Sequence, residues 1–131
     1  MMSLKNHSIY FFSFFIFGSL GCNDYQKLLN SEDSVSKYRA AEKYYNNGEY
    51  RRANRLLEMV APKYRGKPQA ERVVFFLADS YFKTRSYLLA AYEFEKFVKS
   101  YPKSQRVQEA LFLEAKSYYQ MSPEFSLDQD D

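Results

Sequence analysis

Nucleophilic and acid–base catalysis need side chains that change protonation or attack near neutrality, and this chain holds almost none. His7 is the only histidine and Cys22 the only cysteine. A nucleophile with a paired base would have to come from lysines and carboxylates. The carboxylate pairs Glu93 with Glu95 and Asp128 with Asp130 lie two residues apart and would not share a helix face. The four glycines are scattered and form no phosphate-binding loop. Metal ligation would fall to carboxylates alone, and the aspartates near the C-terminus read as solvated. No catalysis, cofactor or metal is therefore expected. Aromatic rings are what the chain has in quantity, 13 Tyr and 12 Phe against no Trp, and their chemistry is binding and packing.

Those rings recur with a period. Ala41, Tyr44, Tyr45, Gly48, Tyr50, Ala53, Leu57 and Tyr64 return 37 residues later as Ala78, Tyr81, Phe82, Arg85, Tyr87, Ala90, Phe94 and Tyr101, and the first half returns again as Ala115, Tyr118 and Tyr119. An internal repeat of this length is read before any single residue. Within it, Ala41, Tyr44 and Tyr45 fall at i, i+3, i+4, and Tyr50, Ala53 and Leu57 at i, i+3, i+7, with Asn46 to Glu49 as the break. Each unit is a helical hairpin. Alanines let its two helices approach, the large rings fill the space between one hairpin and the next, and Gly48 suits a left-handed helix stop.

Taken in order, residues 1–21 read as a secretory signal. Lys5 and the amino terminus precede an apolar run from Ile9 to Phe17 that is too short to span a membrane comfortably. Residues 22–34 form a linker with some helical character at Tyr25 to Leu29, and Ser34 is placed to cap the next helix. Helices are expected at about Val35–Asn47, Tyr50–Tyr64, Gln69–Arg85, Tyr87–Ser100 and Ser104–Met121. Pro62 should kink or end the second of these, and Pro68 suits the start of the third. Residues 35–121 are thus the repeat domain, all-α, with about two and a half repeats. Residues 122–131 form an acidic tail or a truncated inter-helix loop. The last helix carries Leu111, Phe112, Ala115, Tyr118 and Tyr119, more apolar surface than a terminal helix leaves in water.

The net charge of +3 does not suggest a nucleic-acid binder. Basic residues do cluster between Arg51 and Arg72, with Arg51, Arg52 and Arg55 on one helix. Such a patch either faces phosphate headgroups or an acidic protein, or is a solvated helix face.

The spacing of small residue, Tyr, Gly, Tyr, small residue and large apolar residue resembles the tetratricopeptide repeat, whose units stack into a solenoid. Ser19-Leu20-Gly21-Cys22 resembles a bacterial lipobox, with Ser19 and Leu20 in the reverse of the usual order. That likeness implies lipid on Cys22, and several acyl chains at ~0.8 kcal/mol per buried CH₂ anchor stably. Asn23-Asp24 does not resemble a surface-export signal, so the periplasmic face is expected. Further strings, Cys22 to Leu29, Gly48 to Ala53, Leu88 to Phe94, Phe97 to Pro102, Glu109 to Phe112 and Ser122 to Asp130, are similar to the N-terminal half of the BamD family, with the flavour of its Bacteroidetes branch. That family's lipoproteins serve the machinery that inserts β-barrel proteins into the outer membrane.

The resemblance implies a lipid-anchored outer-membrane scaffold whose partners are the barrel-assembly subunit and the C-terminal segments of unfolded outer-membrane proteins. By the repeat register the ligand groove would comprise Tyr38, Glu42 and Tyr45, then Phe75, Asp79 and Phe82, then Phe112, Lys116 and Tyr119. The same rings would equally serve as packing between helices. Rival readings are a cell-envelope scaffold for division or peptidoglycan, and a fragment of a SusD-like glycan-binding lipoprotein.

Overall fold

The computed structural model describes residues 20–122, and six helices account for most of them. They are α1 (Leu20–Asn30), α2 (Ser34–Asn46), α3 (Tyr50–Tyr64), α4 (Ala70–Lys83), α5 (Tyr87–Ser100) and α6 (Val107–Met121). The expected signal before residue 20 and the acidic tail after residue 122 lie outside the described residues. The chain divides into two units, the first ending at Glu32 and the second starting at Asp33. In the first, α1 spans more than the Tyr25–Leu29 stretch read as helical, and it takes in the backbone of Cys22. Among the described residues no helix is long and apolar enough to cross a membrane.

The second unit is all helical. Each helix packs on the next, α2 on α3, α3 on α4, α4 on α5 and α5 on α6, so the hairpins α2–α3 and α4–α5 stack with α6 opening a third. Ala41, Ala53, Ala78 and Ala90 are fully buried, which is where small side chains let helix axes approach. Above and below them the rings fill in. Within the first hairpin Tyr38 meets Tyr64 at 4.9 Å between centroids; within the second Phe75 meets Phe94 at 5.8 Å and Phe97 at 5.3 Å. The aromatics thus pack inside hairpins as well as between them. Where α3 meets α4, Asn54 donates to Ser80 Oγ at 2.9 Å, and the Ser80 hydroxyl donates to the Leu77 carbonyl at 2.8 Å. Ser117 occupies the corresponding position in α6, fully buried and bonded to the Leu113 carbonyl at 2.7 Å.

The repeat extends to the helix stops. At the end of α2, Gly48 N–H donates to the Tyr45 carbonyl at 3.0 Å and Glu49 N–H to the Tyr44 carbonyl at 2.8 Å, with Gly48 at φ +78°. This is a Schellman cap. At the end of α4 the same two bonds run from Arg85 to Phe82 at 3.0 Å and from Ser86 to Tyr81 at 2.9 Å, and Arg85 holds φ +64°. An arginine therefore accepts the left-handed conformation that glycine takes without Cβ strain.

Four local expectations are corrected. Asp33, not Ser34, caps α2: its carboxylate accepts from the Val35 N–H at 2.9 Å, the Ser36 N–H at 3.2 Å and the Ser36 hydroxyl at 2.5 Å. The Ser36 hydroxyl and the two N–H groups hold the Asp33 carboxyl below its ordinary pKa. Pro62 does not end α3, which runs on to Tyr64, because Tyr64 is buried against Tyr38 and anchors the last turn. Pro68 precedes the N-cap of α4 instead of starting the helix, inside a turn closed by Ala70 N–H to the Lys67 carbonyl at 3.0 Å. The last helix begins at Val107, not Ser104, since the Ser104 hydroxyl is engaged by the Arg106 N–H at 3.0 Å and by Glu71 at 2.5 Å.

A Cβ at Gly48 would meet nothing within 4 Å, so Gly48→Ala isolates the backbone cost, an expected loss of about 1 kcal/mol. Arg85→Gly should raise stability by about 0.5 kcal/mol, the relieved strain exceeding the added chain entropy of glycine. Urea denaturation midpoints measure both, and the two shifts should be opposite in sign.

Candidate functional site

The residues expected to line a groove separate into a joined set and an open set. The joined set links α2 to α4. Tyr38 donates to Glu42 at 2.5 Å, and Glu42 pairs with Arg72 Nε at 3.1 Å. The Arg72 guanidinium lies 5.0 Å from the centre of the Phe76 ring, and Phe76 stacks on Tyr45 at 4.1 Å with planes 10° apart. Tyr45 in turn donates to Asp79 at 2.5 Å. Phe75 belongs beneath this set, buried between α4 and α5, with Arg106 over its face at 4.0 Å.

Spacing alone did not single out Arg72, Phe76 or Arg106. Arg72, Phe76 and Asp79 do stand at i, i+4, i+7, which marks one face of α4, whereas Arg106 reaches the rings from the loop before α6. Pro68, Glu71, Arg72, Phe76 and Arg106 surround a hollow of about 420 Å³ beside the joined set. Its two cations are partnered, Arg72 by Glu42 and Arg106 by Glu109 at 3.6 Å.

The open set continues on α6. Phe112 is 64% exposed and Tyr119 75%, and Lys116 between them places its ammonium 5.6 Å from the Phe82 ring and 5.8 Å from Phe112. Phe82 is half-buried and meets Tyr87 edge-on at 5.6 Å. The repeat explains the contrast. Phe112 corresponds to Phe75, and Ala115 to the fully buried Ala41 and Ala78, yet Ala115 is exposed. In α2 and α4 these positions are covered by α3 and α5, and among the described residues no helix covers them on α6.

Burial and carboxylate acceptors set the phenol chemistry. Desolvation first, and the hydrogen bond to Glu42 second, push Tyr38 up to about 12. The same causes raise Tyr45, with Asp79 as acceptor, and Tyr81, whose hydroxyl donates to Glu58. All three remain donors throughout the physiological range, so the set supplies fixed hydrogen bonds and no proton transfer.

Of the basic residues, Arg51 and Arg55 are exposed on α3, and Arg52 is half-buried, paired with Glu49 at 2.8 Å and lying 5.5 Å from the Tyr44 ring. The side chain of Cys22 is outside the described set.

In comparison with known proteins, the family model described as "YfiO: Outer membrane lipoprotein" matches residues 30–131, most of the chain. No curated protein matches it.

Raised phenol pKa values stabilise the fold below the unfolded value of about 10 and withdraw that support as pH rises through the folded values. The urea midpoint should therefore hold to about pH 9.5 and fall beyond pH 10, with late phenolate absorbance appearing alongside the unfolding. Tyr45→Phe leaves the buried Asp79 without its donor and should cost about 1–3 kcal/mol at neutral pH.

Proposed function

From the premise that this chain belongs to the YfiO family, BamD-like outer membrane lipoproteins of the β-barrel assembly type, we propose that it is a non-catalytic scaffold anchored through Cys22 on the periplasmic face. Its partners in this reading are the barrel subunit of the assembly machinery and the C-terminal segments of unfolded outer-membrane proteins. The observation that carries the proposal is the exposed face of α6, where Phe112, Lys116 and Tyr119 extend the ring array begun by Tyr38, Tyr45 and Phe82 on α2 and α4.

This face suits an extended segment that finishes in an aromatic residue. Lys116 stands beside two rings, so one place offers both a cation for a terminal carboxylate and faces for a terminal ring. Each ring contact is worth ~0.5–1.5 kcal/mol beyond area. Glu42, Tyr45 and Asp79 would act as the wall that fixes the array, and Phe75 as the floor under it. The chemistry left to the chain supports scaffold over enzyme, because its one histidine, His7, falls in the expected signal.

Fluorescence anisotropy with a labelled peptide ending in Phe and a free carboxylate tests the groove. Phe112→Ala and Tyr119→Ala should each weaken binding about threefold to tenfold, and amidating the peptide should weaken it through Lys116. Affinity purification from extracted membranes should recover the barrel subunit with the wild type, and Cys22→Ala should leave the membrane fraction. Recovery of wall enzymes or glycan porins in its place would refute the assignment.

A further inference from the structure

The two Schellman turns come together at one end of the repeats. Gly48, Glu49 and the first turn of α3 on one side, and Lys83, Thr84 and Arg85 on the other, enclose an open cleft of about 400 Å³. Four cations line it, Arg51, Arg52, Lys83 and Arg85, against the single carboxylate of Glu49. Glu49 is engaged by Arg52 at 2.8 Å. Among the described residues Arg51, Lys83 and Arg85 have no carboxylate within ion-pair distance.

This arrangement is unfavourable as it stands. Like charges share a small space, and Arg51 and Arg52 occupy the first turn of α3, where the helix dipole disfavours cations. That turn contains no acidic residue and has no side-chain cap. Arg85 adds a fourth positive charge from a left-handed backbone conformation, at the position where the first repeat has Gly48. An oxyanion in the cleft would relieve the repulsion, and arginine forks match the several oxygens of a phosphate better than the two of a carboxylate.

Immediately beyond Arg85 the surface becomes apolar. Leu88 is 68% exposed, Leu89 48% and Tyr92 57%, and Tyr92, four residues after Leu88 and three after Leu89, lies beside both on the surface of α5. They stand at the repeat positions of Arg51, Arg52 and Arg55, so the same surface of two stacked hairpins is cationic on one and apolar on the next. Cations beside exposed leucines and a tyrosine are what an anionic lipid interface takes up: phosphates bind the charges, and the apolar side chains enter the acyl boundary.

We infer that this hairpin-tip edge is a membrane-surface site, with the Arg51, Arg52, Lys83 and Arg85 cleft holding the phosphate of an anionic phospholipid and Leu88 and Leu89 entering the interface beside it. The inference uses the family's outer-membrane placement but not the peptide groove, so either can fail alone.

Because the chain contains no Trp, Leu88→Trp makes a clean reporter in the full-length protein extracted and reconstituted into vesicles. In vesicles containing phosphatidylglycerol its emission should shift to the blue and be quenched by brominated acyl chains; in pure phosphatidylcholine both effects should be largely lost. Adding Arg51→Gln and Arg85→Gly should remove at least nine-tenths of the quenching, and Arg85→Gly keeps the backbone turn intact, so loss of folding would not account for it. Water-like emission in phosphatidylglycerol overturns the inference, as does quenching indifferent to lipid charge or to the two arginine changes. A response to inorganic phosphate at matched ionic strength without one to phosphatidylglycerol would show a soluble-phosphate site, and a response to an acidic peptide alone would show a protein-docking site; each overturns the membrane reading.

Discussion

Tyr45 is the joint on which the repeat stack depends. Its ring lies flat on Phe76 of the next hairpin and edge-on to Tyr50 of its own, and its hydroxyl holds the carboxylate of Asp79, which is 5% exposed. A helix pair cannot bury both its faces alone, so a repeat protein's stability lies in its interfaces as much as in its units. Here the interface combines a non-directional ring stack with one directional bond to a buried charge. The stack supplies area, and the bond fixes the register of α4 against α2, because a carboxylate that lost its donor there would pay its desolvation in full.

Much of this could be read from residue spacing, and the reason is periodicity. Ala41 and Ala78 recur because helix axes must approach there, and Gly48 recurs in function, if not in type, because α2 and α4 both stop with a left-handed residue. Four of the five repeat helices lie within two residues of their expected bounds, since apolar stripes determine them; α6 starts three residues later than expected. The misses lie where side chains compete for the same backbone groups. Asp33 displaces Ser34 as cap because a carboxylate reaches two N–H groups and the Ser36 hydroxyl together, and Ser104 delays α6 by spending its hydroxyl on Glu71. In the candidate groove, periodicity could place Tyr45 and Asp79 on one side of the fold, but not show that they bond to each other. It was equally blind to Arg106, whose position over Phe75 depends on the path of a loop.

The repeat fixes shape and leaves chemistry free. The positions of Arg51, Arg52 and Arg55 return as Leu88, Leu89 and Tyr92, with the helix unchanged and the surface inverted from cationic to apolar. On the other side, Phe75 is core and its counterpart Phe112 is surface. A position's burial is thus set by which neighbour follows it, and identical residues are buried in one hairpin and exposed in the next.

Neighbour order also implies a gradient of motion. Helix α4 is held by α3 on one side and α5 on the other, while α6 rests on α5 with a smaller contact to α4. In a nearest-neighbour chain, local opening is easiest where one side is uncovered and hardest in the middle. Amide protons should accordingly exchange more slowly in α3, α4 and α5 than along α6, which among the described residues has one side uncovered. The edge that carries Phe112 and Tyr119 is, among the described residues, the less covered one, while Tyr45, Phe76 and Asp79 are joined to one another behind it. A ligand that settled there would slow exchange in α6 first, so recognition and ordering would be one event at that end of the stack.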